Sequence, residues 1–78
     1  MSDTELLLLL DMCIRAEKKC EARLTEAIRT FQGTRVTYLE QVIKHYSGMR
    51  ENFLRILHDR GCSKDDIYRK LEQFPERP

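Results

Sequence analysis

The chain lacks tryptophan and contains few of the residues that make turns. It has three Gly and two Pro among its 78 residues. A small β-barrel needs frequent turns, so this scarcity argues against one. A hydrophobic fraction of 41% is also too high for a disordered segment. These observations predict a single helical domain over residues 1–78.

The chain also lacks an excess of charge of either sign. Its 14 Lys and Arg oppose 13 Asp and Glu, which leaves a formal net charge of +1. A chain of this size buries about 60% of the surface that its unfolded form exposes, so a large enclosed active site is not expected. No Gly-rich phosphate loop, nucleophile elbow or zinc-protease motif occurs in the sequence. We therefore expect neither an enzyme nor a cofactor, and the overall charge does not favour a nucleic acid as the partner.

Long apolar runs and cysteine pairs are absent as well. The run Leu6–Leu10 is far shorter than the ~20 residues that span a bilayer, and no stretch resembles a signal peptide. Cys13 and Cys20 lie about 10.5 Å apart along a helix axis, too far for a disulfide. His45 and His58 lack the spacing of zinc ligands. We expect reduced thiols, no metal, no membrane segment and a cytoplasmic location.

Two long stretches have apolar residues at three- and four-residue steps, which predicts an all-α fold. Ser2 has the spacing of a helix cap, so the first helix is expected over about 3–32. Gly33 is the expected left-handed stop of that helix, and Thr34 is the expected cap of a second helix over about 35–60.

A short third helix is predicted by the strongest local signals in the chain. Gly61 is expected to end the second helix, and Ser63 is expected to cap a helix over about 64–74. Cys62 precedes this cap and is predicted to pack on Ile67 as a hydrophobic staple.

A turn at residues 33–34 makes the two long helices an antiparallel hairpin. Glu17 then lies opposite Arg50, and small residues repeatedly face large ones. The predicted apolar pairs are Phe31 with Val36, Ala27 with Leu39, Leu24 with Ile43, Cys20 with Tyr46, Cys13 with Phe53, and Leu10 with Leu57. The alternative is one unbroken helix in a parallel dimer, which loses this match.

More apolar side chains are present than three small helices need, so the sequence predicts a partner, which is either another protein or a second copy in a dimer. The surplus comprises Leu7, Met12, Val42, Met49, Leu54 and Ile56. A basic ridge of Arg15, Lys18, Lys19 and Arg23 suits either an acidic partner or a solvated face. The expected partner-binding residues are Leu7, Leu8, Met12, Met49, Leu54, Ile56, Arg15, Lys19 and Arg23.

Residues 57–71 offer a different interpretation. Gly61, an apolar residue and Ser63 precede a helix with Leu-Tyr-Arg character, and this segment resembles the helix-turn-helix of bacterial regulators of the Fis and TetR type. The resemblance implies that Ser63, Lys64, Tyr68 and Arg69 contact DNA. A Gly stop followed by a capped helix produces the same string for local reasons. The sequence thus predicts a helical interaction module of adaptor, chaperone or inhibitor type, with a small DNA-binding regulator as the alternative.

Overall fold

The computed structural model describes residues 2–74 and contains three helices within that range. Helix α1 spans Asp3–Arg29, α2 spans Gly33–Asp59 and α3 spans Lys64–Glu72. The two long helices pack against each other as an antiparallel hairpin, and α3 packs on both. The predicted all-α fold, with a long hairpin and a short third helix, is confirmed.

The register of the hairpin is set by an ion pair between α1 and α2. The Arg50 Nη1 lies 3.3 Å from the Glu17 Oε2, as predicted for a hairpin that turns at residues 33–34. The Glu17 side chain is 10% exposed and that of Arg50 is 32% exposed, so the pair is largely shielded from water. Because the chain reverses at residues 30–32, the alternative of one continuous helix is wrong.

The base of the hairpin holds the main hydrophobic core. Leu10 and Leu57 are fully buried there, as the register requires. They form one cluster with Leu6, Leu7 and Ile67, so that α3 completes the core. An ion pair between the Arg60 Nη1 and the Asp3 Oδ1, 2.9 Å apart, joins the end of α2 to the start of α1 at this base.

The turn after α2 has the predicted chemistry. Gly61 adopts a φ of 91°, and the backbone N–H of Cys62 donates to the carbonyl of Leu57 at 3.1 Å. This arrangement is the Schellman motif, in which the left-handed residue is usually Gly. The Ser63 hydroxyl oxygen then accepts from the Asp66 N–H at 3.2 Å and caps α3. Cys62 packs against the core cluster that contains Ile67.

The turn after α1 differs from the prediction. Phe31, with a φ of 59°, is the left-handed residue, and Gly33 begins α2. The N–H of Gln32 donates to the Ala27 carbonyl at 3.0 Å, which is again a Schellman bond. Helix α1 therefore ends at Arg29, and Thr34 lies inside α2 instead of capping it.

Phe31 also departs from its predicted place in the helix seam. Its side chain is 95% exposed, so it makes no buried contact with Val36. The left-handed backbone at Phe31 interrupts the helical pattern on which the predicted pairing depends. Phe31 and Val36 both line an open hollow at the tip. Ala27 and Leu39 are buried as predicted and form the last closed layer below the tip.

Candidate protein-interaction surface

Helix α3 covers one side of the hairpin and leaves the other open. On the α1 side, a groove of about 430 Å³ between the helices is lined by Ile14, Lys18, Leu71 and Phe74 among others. On the α2 side, a cleft of about 260 Å³ is lined by Leu54, Arg55, His58, Lys64 and Ile67. These two hollows show which faces of α1 and α2 point towards α3.

The opposite side of the hairpin presents a row of apolar residues that no described helix covers. With 3.6 residues per turn, positions 9 and 16 are rotated by about 150° from Ile14, and positions 49 and 56 are rotated equally from Leu54. We call this side the open face. It comprises Leu9, Ala16, Cys20, Val42, Met49 and Ile56, all of them partly or well exposed.

The spacing within the open face is that of a helix-packing seam. Leu9 and Ala16 are seven residues apart, as are Val42, Met49 and Ile56. A seven-residue apolar repeat is the pattern with which helices pair in bundles and coiled coils. Met12 borders the face, because it is three residues from Leu9 and four from Ala16, and its side chain is 60% exposed.

The predicted partner-binding residues divide between three places. Met49 and Ile56 lie on the open face, and Leu8 and Met12 lie on the adjoining outer side of α1, where both are exposed. Leu7 is 7% exposed and Leu54 packs against the core cluster beside α3. The prediction that Leu7 is surplus to the three helices is wrong, because Leu7 is buried in the core cluster that includes Ile67 of α3. Leu54 is half-buried and lines the cleft beside α3.

The predicted basic ridge is neutralised in part. The Arg15 Nε donates to the Asp11 Oδ2 at 2.9 Å, one turn earlier on α1. Lys19 and Arg23 are exposed and form no ion pair with any residue from 2 to 74. Two cations of the ridge, both on the edge of α1 that borders the open face, are therefore available to a partner.

The residues that the DNA-binding resemblance implies are partly engaged within the fold. The Ser63 hydroxyl caps α3, and the Arg69 Nη1 lies 3.7 Å from the Asp66 Oδ1. Lys64 lines the cleft beside α2, and Tyr68 lines the groove beside α1.

The three cysteines are free thiols in different surroundings. Cys13 is buried in the hairpin seam, and burial raises the pKa of its thiol, with a smaller contribution from the nearby Glu17 carboxylate. A thiol with a raised pKa is a poor nucleophile at neutral pH. Cys20 and Cys62 are half-buried. Within residues 2–74, no three His, Cys, Asp or Glu side chains are grouped as a metal site requires.

No helix among residues 2–74 combines the length and apolarity needed to cross a membrane. Comparison with protein-family models, with curated proteins and with solved structures gave no match to this chain. The surfaces of the molecule are therefore the basis for any functional argument.

Leu9, Ala16 and Cys20 lie on the open face, although they are not among the predicted partner-binding residues. Cys20 is predicted to face Tyr46 in the seam. The seven-residue spacing of Leu9 and Ala16 was a usable signal once the side covered by α3 was known.

Proposed function

We propose that this protein is a non-enzymatic helical interaction module, of adaptor, chaperone or inhibitor type, that docks its open face on another protein chain. The observation that supports this most is the seven-residue apolar spacing on both hairpin helices of a face that α3 does not cover. Partly exposed apolar rows of this kind are typical of interaction sites.

The overall surface supports the same proposal. The chain exposes 5976 Å², whereas a compact monomer of its mass exposes about 5,000 Å². Its radius of gyration is 14.5 Å, against about 11.5 Å for a compact domain of this length. Both values are those of an elongated chain, with extents of 44 × 24 × 20 Å, which leaves the length of the hairpin open to a partner.

A reducing, cytoplasmic setting fits this proposal, because all three cysteines are free thiols. DNA binding through residues 57–71 is the alternative, and it has less support. Its Ser63 and Arg69 side chains already bond within α3, and Asp65 and Asp66 would approach the phosphates. An electrophoretic shift that persists at physiological salt would favour this alternative.

The test compares substitutions of two isoleucines, one on the open face and one at the hairpin tip. Ile56→Glu places a charge on the open face, whereas Ile28→Glu places one at the hairpin tip, where Ile28 is 56% exposed. We expect tagged wild-type protein, captured from the source cell, to have a native mass above its own 9.3 kDa. Ile56→Glu is expected to lose the bound chain at an unchanged melting temperature, and Ile28→Glu to keep it. A wild-type protein that remains at its own mass contradicts the proposal.

A further inference from the structure

The open face has a charge at each end of its row on α1. Glu5 lies four residues before Leu9, and Arg23 lies seven residues after Ala16, so all four side chains share one side of the helix. The Glu5 carboxylate accepts from the Ser2 hydroxyl at 3.2 Å. Neither Glu5 nor Arg23 forms an ion pair within residues 2–74. The row therefore runs from an acid, through apolar residues, to a base.

Such a row is complementary to itself when it is reversed. We propose that the open face binds a second copy of this chain, related by a two-fold axis perpendicular to the helices, with α1 antiparallel to α1 and α2 antiparallel to α2. This inference rests on the proposed function and names the occupant of the face. Glu5 of each copy then lies beside Arg23 of the other, and the overlap extends over about 27 Å of helix.

One pair of residues on α1 agrees with this arrangement, whereas Leu9 lies level with Lys19 of the second copy. The axis lies midway between Glu5 and Arg23, level with residue 14, and the same midpoint sets Met12 against Ala16 of the second copy. A large side chain thus meets a small one, which is how facing layers interdigitate.

Helix α2 gives the same position of the axis independently. The Glu17 and Arg50 pair, at 3.3 Å, sets residue 14 of α1 level with residue 53 of α2. The midpoint of Met49 and Ile56 falls within one residue of that level. Met49 of one copy therefore faces Ile56 of the other, and both helices close the interface about one axis.

The dimer engages both hairpin helices of each copy. Over the overlap of about 27 Å, each copy presents two neighbouring helices that are each about 10 Å wide. The two-fold symmetry makes each contact occur twice. The hairpin tip, with the exposed Phe31 and Ile28, lies outside the overlap.

A charge-swap experiment tests the arrangement. In Glu5→Arg and in Arg23→Glu, two like-charge contacts replace two attractive ones, so each variant alone is expected to raise the dimer Kd by about tenfold or more. When the two variants are mixed, every contact in the mixed dimer joins an acid to a base. Sedimentation equilibrium should then show the affinity restored to near that of the wild type.

Matched controls lie outside the overlap. Glu40→Arg and Arg35→Glu make the same charge changes at exposed positions without an ion pair among the described residues, and neither should change the Kd. A mixture that fails to restore the affinity overturns the antiparallel dimer. Weaker dimerisation of the single variants would not rescue it, because Glu5 also takes part in the α1 cap and its replacement can weaken the dimer indirectly.

Two masses separate the second copy from any other partner: that of the pure chain and that of the chain captured from the cell. A pure wild-type chain that stays at 9.3 kDa at every concentration overturns the second copy as occupant. If that chain still acquires a bound protein in the cell that Ile56→Glu loses, the proposed function stands. If it acquires none, both are wrong.

Discussion

The base and the tip of the hairpin end their helices with the same backbone motif but with different residues. Both helices end in a Schellman motif, with Gly61 as its left-handed residue at the base and Phe31 at the tip. At the base, α3 covers the turn and completes a buried cluster, whereas at the tip Phe31 is almost fully exposed. Buried apolar contacts are therefore concentrated at the base, and we expect the stability of the fold to be concentrated there as well, while the tip keeps an exposed aromatic residue.

The largest effect is expected from removing a core side chain at the base. Leu57→Ala leaves a cavity beside the fully buried Leu10, and we expect a loss of about 3–5 kcal/mol in the free energy of unfolding. Leu39→Ala, near the tip, is the matched control. Leu39 lies outside the five-residue cluster, so its loss should be about 2 kcal/mol, the lower end of such values. Denaturant unfolding measures both, and equal losses would remove the proposed difference between the two ends.

A smaller effect is expected halfway along the hairpin, where Glu17 meets Arg50. Replacing Glu17 by Gln removes the nearer and more buried carboxylate from the Arg50 guanidinium, whose Nη2 still lies 3.6 Å from the exposed Glu51 Oε1, and we expect a cost of about 1–3 kcal/mol. Replacing both residues should recover part of this cost. A double-mutant cycle with Arg50→Met isolates the coupling free energy. A coupling near zero would show that the pair does not stabilise the register.

The smallest effects are expected at the two turns, and they should have opposite signs. A left-handed backbone costs a non-Gly residue about 1–2 kcal/mol, and Phe31→Gly removes this cost. Because Gly also gives the unfolded chain more freedom, which offsets part of the gain, the net stabilisation should be about 1 kcal/mol. Phe31→Ala keeps the left-handed cost and should bring no gain. Gly61→Ala should destabilise by about 1 kcal/mol through the backbone alone, because a Cβ there meets nothing within 4 Å.

Gly33 provides the control for these turn variants. It lies in α2 without a positive φ, and a Cβ at this position also meets nothing within 4 Å. Gly33→Ala should therefore cause no loss in the free energy of unfolding, and it should raise it by up to about 1 kcal/mol because the unfolded chain has less freedom. Thermal melts give the change in stability for each of the four variants, Phe31→Gly, Phe31→Ala, Gly61→Ala and Gly33→Ala. A large loss of stability in Gly33→Ala would indicate that Gly33, and not Phe31, adopts the left-handed conformation.

The contrast between the two turns also shows how far sequence reasoning extends. The hairpin, its register and the capped third helix follow from periodicity, from the Glu17 and Arg50 positions and from Ser63, because each depends on local or pairwise chemistry. The first turn differs from the prediction because Gly33 is the better left-handed residue by intrinsic preference, whereas α1 ends at Arg29, three residues before the predicted end, and Phe31 adopts the left-handed conformation. Propensity ranks residues and does not fix where a helix ends.

The open face was only half predictable for a related reason. Met49 and Ile56 stand out as surplus apolar residues, whereas Leu7 has the same character and is buried, and Leu54 is partly buried against the core cluster. Which apolar residues remain exposed depends on the side that α3 covers. That choice is a tertiary property, since a helix with several apolar stripes can bury any of them.

The most direct test of the account is to measure whether the open face becomes covered while the tip does not. Methyl groups of Met49 and Ile56 report on the face, and the Ile28 methyls report on the tip as an internal control. With a soluble paramagnetic agent, the relaxation enhancement at Met49 and Ile56 should fall as the protein concentration rises, whereas that at Ile28 should stay constant. Equal enhancements at all three residues, unchanged at every concentration, would contradict the proposal that a second copy covers this face.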